Sequence, residues 1–175
     1  MTGCWSKFDT WMWEDTSEFT REQKYTNYYK ARGGEAATKL LAFFRICVVF
    51  FWAFSEKNYW DIKETYWLNP LIYLSNWFWY SFALYFVLIT FAYIRHEVLG
   101  QAVPQDSSSP LQLWKWCQIV YEIQVIMGLW VTLLFWGYVL PAFPEWEIDY
   151  NIYAKHAIPL PIIIVEFLTN KIAFE

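Results

Sequence analysis

This 175-residue chain contains a serine and a histidine that could act together in covalent catalysis. Ser75 lies in the segment Tyr73–Trp77 near the start of an apolar stretch, and His156 opens the apolar run His156–Glu166. An imidazole can remove the proton of a hydroxyl, and the oxygen then attacks an ester carbonyl to form a covalent acyl intermediate. This chemistry requires both groups on the same side of the fold, so the elements that carry them decide whether they meet.

Four apolar segments carry these residues, each near the roughly 20 residues needed to cross a bilayer. They lie at about 36–54, 71–94, 113–140 and 152–171. The pattern predicts an all-α fold, a polytopic membrane helix bundle with about four transmembrane helices. The second and fourth segments are two crossings apart and therefore begin on the same face. Ser75 and His156 are thus predicted to lie at similar depth, although a serine in a membrane helix also commonly serves as an interhelical hydrogen-bonding group.

The composition favours a membrane protein over a soluble one. Hydrophobic residues make up 57% of the chain and aromatic residues 23%, more rings than a soluble core of this size can bury. The net charge of -4 comes without a basic stripe, so we expect no nucleic-acid partner. Cys4, Cys47 and Cys117 are isolated, which excludes a disulfide framework and a cysteine metal cluster.

A polar, aromatic-rich tail at 1–35 precedes the first apolar segment and ends at Gly33-Gly34. Its tryptophans Trp5, Trp11 and Trp13 suit contact with a membrane surface. No cleavable signal peptide is visible in it, and the organelle stays open. Basic residues concentrate in the tail and in the linker before the third segment, which predicts an N-terminus in the cytosol or its equivalent. These residues are Lys7, Arg21, Lys24, Lys30, Arg32, Lys39, Arg95 and Lys115, against Lys57, Lys63 and Lys155 on the opposite side.

Three charged residues lie inside the apolar segments and should form a buried polar layer. Arg45, Glu122 and Glu166 each need a partner in such surroundings, and Arg45 with a carboxylate is the preferred pairing. Glu166 is ten residues beyond His156, roughly 15 Å along a helix, so it should not orient the imidazole directly. Pro159 and Pro161 remove amide donors just after His156 and are predicted to kink the fourth helix.

We expect neither a cofactor nor a metal site. His96 ends the second segment and His156 starts the fourth, so one haem cannot bridge them across the bundle. Two separated histidines also lack any recognisable metal-ligand spacing. Asn76, beside Ser75, could support the site by donating to an oxyanion, and a hydrogen bond at the helix start is its alternative role.

Two stretches of the chain resemble the androgen-induced protein family of multispan membrane hydrolases and its rolling stone relatives. His156 is followed by Leu160-Pro161 and then Glu166, which is the family's His-x-x-x-Leu-Pro-x-x-x-x-Glu pattern. The segment Tyr73–Trp77 is similar to the Leu-Thr segment of an early family helix and to the Tyr-Leu-Thr-Asn-Trp form of relatives. The resemblance covers the chain from about residue 36 onward.

The resemblance implies a hydrolase that cleaves fatty acid esters of hydroxy fatty acids. Ser75 stands where the family has its nucleophilic threonine, and His156 where it has the base. Serine keeps the hydroxyl but loses the methyl group that restricts the rotamer. The family usually continues through further helices, so the resemblance also implies a chain shortened at its C-terminal end.

Membrane lipids and a lipid ester substrate are the expected partners of such an enzyme. The alternative is a non-catalytic membrane protein, such as an accessory subunit or a lipid-binding scaffold of a larger membrane complex. Its partners would be other membrane protein subunits. The short chain, the serine in place of threonine and the abundance of aromatic residues favour this alternative.

Overall fold

The computed structural model describes residues 28–62, 74–102, 113–142 and 150–171, with the backbone alone for 58–62. Within these ranges the fold is all-α, as the sequence predicts. The helices are α1 (Gly34–Ile62), α2 (Leu74–Tyr93), α3 (Leu113–Leu134), α4 (Tyr150–His156) and α5 (Pro159–Thr169). Further helical turns extend two of them: the π-helical turn Ile94–Val98 follows α2, and the π-helical turn Phe135–Val139 and the short Leu140–Ala142 follow α3.

In the part of the chain that the structure describes, four helical spans are long and apolar enough to cross a membrane, as expected of an integral membrane protein. The spans are Gly34–Lys57, Leu74–Val98, Leu113–Ala142 and Tyr150–Thr169. Large apolar side chains cover their outward faces, as expected where the surroundings are lipid rather than water. Examples from each span are Leu40, Phe50, Trp77, Phe91, Ile126, Trp130, Tyr153 and Ile164. Trp5, Trp11 and Trp13 lie outside the described residues.

The second span is the centre of the bundle. Its apolar window is 44% buried, against 22–28% for the other three, so α2 has neighbours on most of its sides. Large aromatic side chains fill the space around it. The rings of Trp79 and Phe82 stack with centroids 5.8 Å apart, and Phe82 in turn contacts Phe86 at 4.9 Å. This explains where a large share of the aromatic residues goes, because rings bury much apolar area per side chain.

The fourth span is broken in the middle, as its prolines predict. α4 ends at His156, a turn at Ala157 and Ile158 follows, and α5 begins at Pro159. Pro159 is tolerated as the first residue of a helix, where its missing amide would have had no helical partner. The amides of Ala157 and Ile158 both bond the carbonyl of Tyr153, which closes α4 tightly before the chain changes direction.

Residues 28–33, assigned to the tail by the sequence analysis, pack against the bundle. Tyr28, Tyr29 and Ala31 are buried, and Ala31 forms a β-bridge with Asn170 beyond the end of α5. The Tyr29 hydroxyl donates to Glu97 at 3.0 Å. Burial raises the pKa of both phenols, and for Tyr29 the bond to the carboxylate raises it further, so both stay protonated. The start of α1 is thereby tied to the end of α5.

Candidate functional site

Polar side chains collect at two ends of the bundle. We call one the His156 end; it contains the last turns of the first span, the first turns of α2, the end of the third span and α4. The other is the Arg45 end, where residues 28–33, the ends of α2 and α5 and the start of α3 meet. The sequence predicts the candidate nucleophile and base at the first end and the charged residues in a polar layer deeper inside the bundle.

The His156 side chain and backbone contact two aromatic residues of the third span, Phe135 and Trp136. Its ring stacks on Phe135 with the centroids 3.7 Å apart and the planes within 12°. Trp136 donates its indole N–H to the backbone carbonyl of His156 at 3.0 Å. Both aromatic residues belong to the π-helical turn after α3, and single π-helical turns are often found at functional sites. These two contacts fix the position of the imidazole and of the turn between α4 and α5 that follows it.

The ring nitrogens of His156 make no hydrogen bond to any other described residue. Nδ1 is buried and without a partner. An imidazole held by stacking alone can take a proton from one neighbour and return it to another, because neither nitrogen is committed to a structural bond. This is the property expected of a general base waiting for its substrate.

The first turn of α2 contacts the end of α4 through a buried hydrogen bond. Lys155 donates from Nζ to Oδ1 of Asn76 at 3.0 Å, and both side chains are buried. The residues next to Ser75 and His156 are therefore in contact. This confirms that the second and fourth spans begin at the same end of the bundle.

The structure does not join Ser75 to His156 by a hydrogen bond. Ser75 is partly exposed, and its hydroxyl has no hydrogen-bond partner among the described residues. In enzymes without substrate, catalytic hydrogen bonds are often long and tighten only when substrate binds. The catalytic pairing of Ser75 with His156 accordingly stays a prediction, with the two residues at the same end and both side chains uncommitted.

The His156 end contains several further polar residues that the sequence pattern does not single out. Glu56 is buried and accepts bonds from Trp79 Nε1 and the Tyr80 hydroxyl, both at 2.8 Å. Ser55 bonds the hydroxyl of Tyr150 at 2.9 Å. Ser55 and Glu56 follow the predicted end of the first segment at 54, whereas α1 continues past them. Lys155, which the sequence groups with the basic residues opposite the tail, is the sixth residue of α4 and is buried.

The Arg45 end contains a fully buried ion pair. Arg45 donates from Nε to both carboxylate oxygens of Glu166, at 3.1 and 3.2 Å, and from Nη2 to Oε1 at 2.5 Å. Both side chains have no solvent exposure at all. The predicted pairing of Arg45 with a carboxylate is thus confirmed, and the carboxylate is that of Glu166.

Neutral groups complete the coordination of this pair. The Tyr85 hydroxyl donates to Glu166 Oε1 at 2.7 Å, and Asn170 Nδ2 donates to the same oxygen at 2.8 Å. The remaining arm of Arg45 donates from Nη1 to the Tyr29 carbonyl at 2.6 Å. A buried charge is tolerated when its hydrogen-bonding capacity is met in this way. The cluster therefore has a structural role, because it connects the 28–33 segment to α1, α2 and α5.

The prediction that Glu122 belongs to this buried layer is wrong. Glu122 is partly exposed and accepts a bond from Gln118 Nε2, one turn earlier on α3, at 3.2 Å. The inward face of α3 instead passes through Tyr121 and Gln124, both buried. Glu122 follows Tyr121 by one residue, which rotates it by about 100° around the helix axis. Its side chain therefore points away from the bundle interior. Gln124 bonds Ser81 of α2 at 2.5 Å.

The second histidine lies far from the first, at the opposite end of the bundle. His96 stacks on Tyr29 with centroids 5.6 Å apart, and its Nδ1 is 2.8 Å from the carbonyl oxygen of Gln101. In the described part of the chain, no three His, Cys, Asp or Glu side chains come together in a group that could hold a metal ion.

Over the described residues, fold and site together define a class, a helical integral membrane protein with four candidate spans and two internal polar clusters. In comparisons with known proteins, no family model, no curated protein and no solved structure matches the chain. The family resemblance consequently depends on the residues of the two motifs, Tyr73–Trp77 and His156–Glu166, and enters below as part of a proposal.

Proposed function

We propose that this protein is an integral membrane hydrolase of lipid esters, of the type that acts on fatty acid esters of hydroxy fatty acids. Ser75 is the nucleophile and His156 the general base. The observation that carries the proposal is the Lys155–Asn76 bond, which packs the immediate neighbours of these two residues against each other at one end of the bundle. The uncommitted ring nitrogens of His156 and the motif resemblance add support.

The proposed reaction proceeds in two halves. His156 takes the proton of the Ser75 hydroxyl while the oxygen attacks the ester carbonyl, and the alcohol product leaves with that proton. A water molecule then gives its proton to His156, attacks the acyl-serine and releases the fatty acid, which regenerates the hydroxyl. The acyl chains of the substrate lie along apolar helix faces. From the distribution of basic residues we infer that the Arg45 end faces the cytosol or its equivalent and the His156 end the other side.

The test combines labelling with turnover. Purified protein should react with an alkyl fluorophosphonate at Ser75, identified by peptide mass spectrometry, and should hydrolyse a lipid ester in detergent or liposomes. Ser75→Ala and His156→Ala should both lose labelling at residue 75 and hydrolysis. Ser81→Ala is the matched control, a serine on the same helix whose hydroxyl already donates to the Phe78 carbonyl. Full hydrolysis by the Ser75→Ala or His156→Ala protein would refute the proposal.

A second candidate is a non-catalytic subunit or lipid-binding scaffold of a larger membrane complex. Two observations favour it: Ser75 and His156 are not hydrogen-bonded, and the third span is the least buried of the four. Its face exposes large apolar side chains that a neighbouring subunit could cover, including Trp116, Ile123, Trp130 and Tyr138. Co-purification with other membrane proteins at fixed stoichiometry, without labelling of Ser75, would favour this candidate over the hydrolase.

A further inference from the structure

A buried lysine stands beside the proposed base without a place in the proposed reaction. Lys155 is only 7% exposed although its side chain ends in an ammonium group. It lies inside an apolar span, where a cation is costly and usually serves a purpose. Its bond to Asn76 places that charge against the residue that follows Ser75. The geometry of this bond indicates what the lysine does.

The ammonium group decides which way the Asn76 amide points. A lysine offers three N–H donors and no acceptor, so it can approach only the oxygen of a carboxamide. The Asn76 oxygen therefore faces Lys155, and the NH2 group faces away from it. Among the described residues, Asn76 makes no other side-chain hydrogen bond, which leaves that NH2 group available as a donor.

We propose that Lys155 is a positioning residue that holds the Asn76 amide so that Nδ2 donates to the oxyanion of the reaction. This inference rests on the proposed hydrolase function. When Ser75 attacks, the carbonyl oxygen of the ester becomes negative, and a donor aimed at it in advance lowers the barrier. The nearby ammonium charge also polarises the amide toward donation. Asn76 then makes direct contact with the reacting atoms, and Lys155 acts through it.

The decisive variant is Asn76→Asp, because it separates the structural bond from the donor. A carboxylate at position 76 keeps an acceptor for Lys155 but can no longer donate. We expect kcat for lipid ester hydrolysis to fall by about 100-fold, the usual effect of losing one oxyanion donor. KM should stay within about twofold because the ground-state ester carries no negative charge. The melting temperature should not fall, since the contact to Lys155 is retained.

The lysine is tested by a matched pair. Lys155→Met removes the charge but keeps much of the side-chain length, and kcat should fall by about tenfold with little change in KM. Lys155→Arg, which again offers only donors, should restore most of that loss. The rate of fluorophosphonate labelling at Ser75 should follow the same order in all these proteins, because phosphonylation also develops charge on an oxygen.

The outcomes of these experiments test the positioning role of Lys155 separately from the proposed hydrolase function. If Ser75→Ala abolishes hydrolysis but Asn76→Asp and Lys155→Met keep the wild-type kcat, the positioning role is wrong and the hydrolase stands. If wild-type protein neither labels at Ser75 nor hydrolyses lipid esters, both fail together. A stability loss in Lys155→Met that Lys155→Arg does not share, with unchanged kcat per folded protein, would make the bond purely structural and refute the inference.

Discussion

The polar groups of the Arg45 cluster differ from those of Ser75 and His156 in how many hydrogen bonds they make. At the Arg45 end, Arg45, Glu166, Tyr85 and Asn170 form a closed and buried hydrogen-bond network. At the His156 end, the imidazole and the hydroxyl of Ser75 have no hydrogen-bond partners among the residues described. In a closed network, the donors and acceptors of the side chains are used for hydrogen bonds that stabilise the fold. Groups without hydrogen-bond partners keep their donors and acceptors available for a bound ligand.

Under the proposed function, this contrast separates the residues that stabilise the bundle from those that react. The Arg45 network joins residues from α1, α2, α5 and the segment before α1, so its loss should loosen the whole bundle. His156 itself is held by stacking on Phe135 and by one indole bond to its carbonyl, so the loss of either contact should leave the bundle largely intact. Substitutions at the two ends should therefore change different measurements.

The largest expected effect comes from breaking the buried ion pair. Glu166→Ala leaves the Arg45 guanidinium buried and unpaired, which costs about 3 to 5 kcal/mol. The melting temperature in detergent should drop sharply, and much of the protein should fail to fold. The double variant Arg45→Met with Glu166→Leu is the control, because apolar residues of similar size often replace a buried pair at little cost. A Glu166→Ala protein as stable as the wild type would contradict the structural role of this end.

A smaller effect should follow from removing a single neutral member of the same network. Tyr85→Phe keeps the ring, which packs against Phe86 and Tyr121, and deletes the hydroxyl that donates to Glu166 and accepts from Asn170. We expect a loss of about 1 to 2 kcal/mol in the free energy of unfolding. Hydrolysis per folded molecule should be unchanged. A selective loss of kcat in Tyr85→Phe, without a loss of stability, would show that the two ends are not separate.

The Arg45 network could be predicted in part from sequence because charges inside apolar segments must find one another. Arg45 and Glu166 met this expectation. Glu122 did not, since its choice rested on depth along the segment and ignored its position around the helix. Tyr121 and Gln124 face the interior from neighbouring positions. Which side of α3 faces the interior depends on how the neighbouring helices pack, and the sequence of α3 alone does not show this.

Other features depended on contacts between parts of the chain that are distant in sequence. The Ala31–Asn170 bridge pairs backbone atoms, so no side-chain pattern in residues 28–33 announces it. The sequence groups Lys155 with the basic residues opposite the tail, whereas its side chain is buried. Its partner Asn76 is 79 residues away, and only the fold shows that the two side chains meet. The break between α4 and α5 was predictable because proline acts on its own helix.

The smallest expected effect on stability comes from the His156 end and completes the contrast. Trp136→Phe keeps an aromatic ring beside Phe135 but removes the indole N–H that bonds the His156 carbonyl. One interhelical hydrogen bond of this kind is worth about 0.6 kcal/mol, so the melting temperature should hardly change. The imidazole would lose a restraint on its position, and kcat should fall by about tenfold, because small misplacements of catalytic groups are costly. Paired measurements of melting temperature and hydrolysis on Trp136→Phe and Tyr85→Phe give the sharpest comparison. If both variants lose stability and activity in the same proportion, the bundle behaves as one unit and the division between its ends fails.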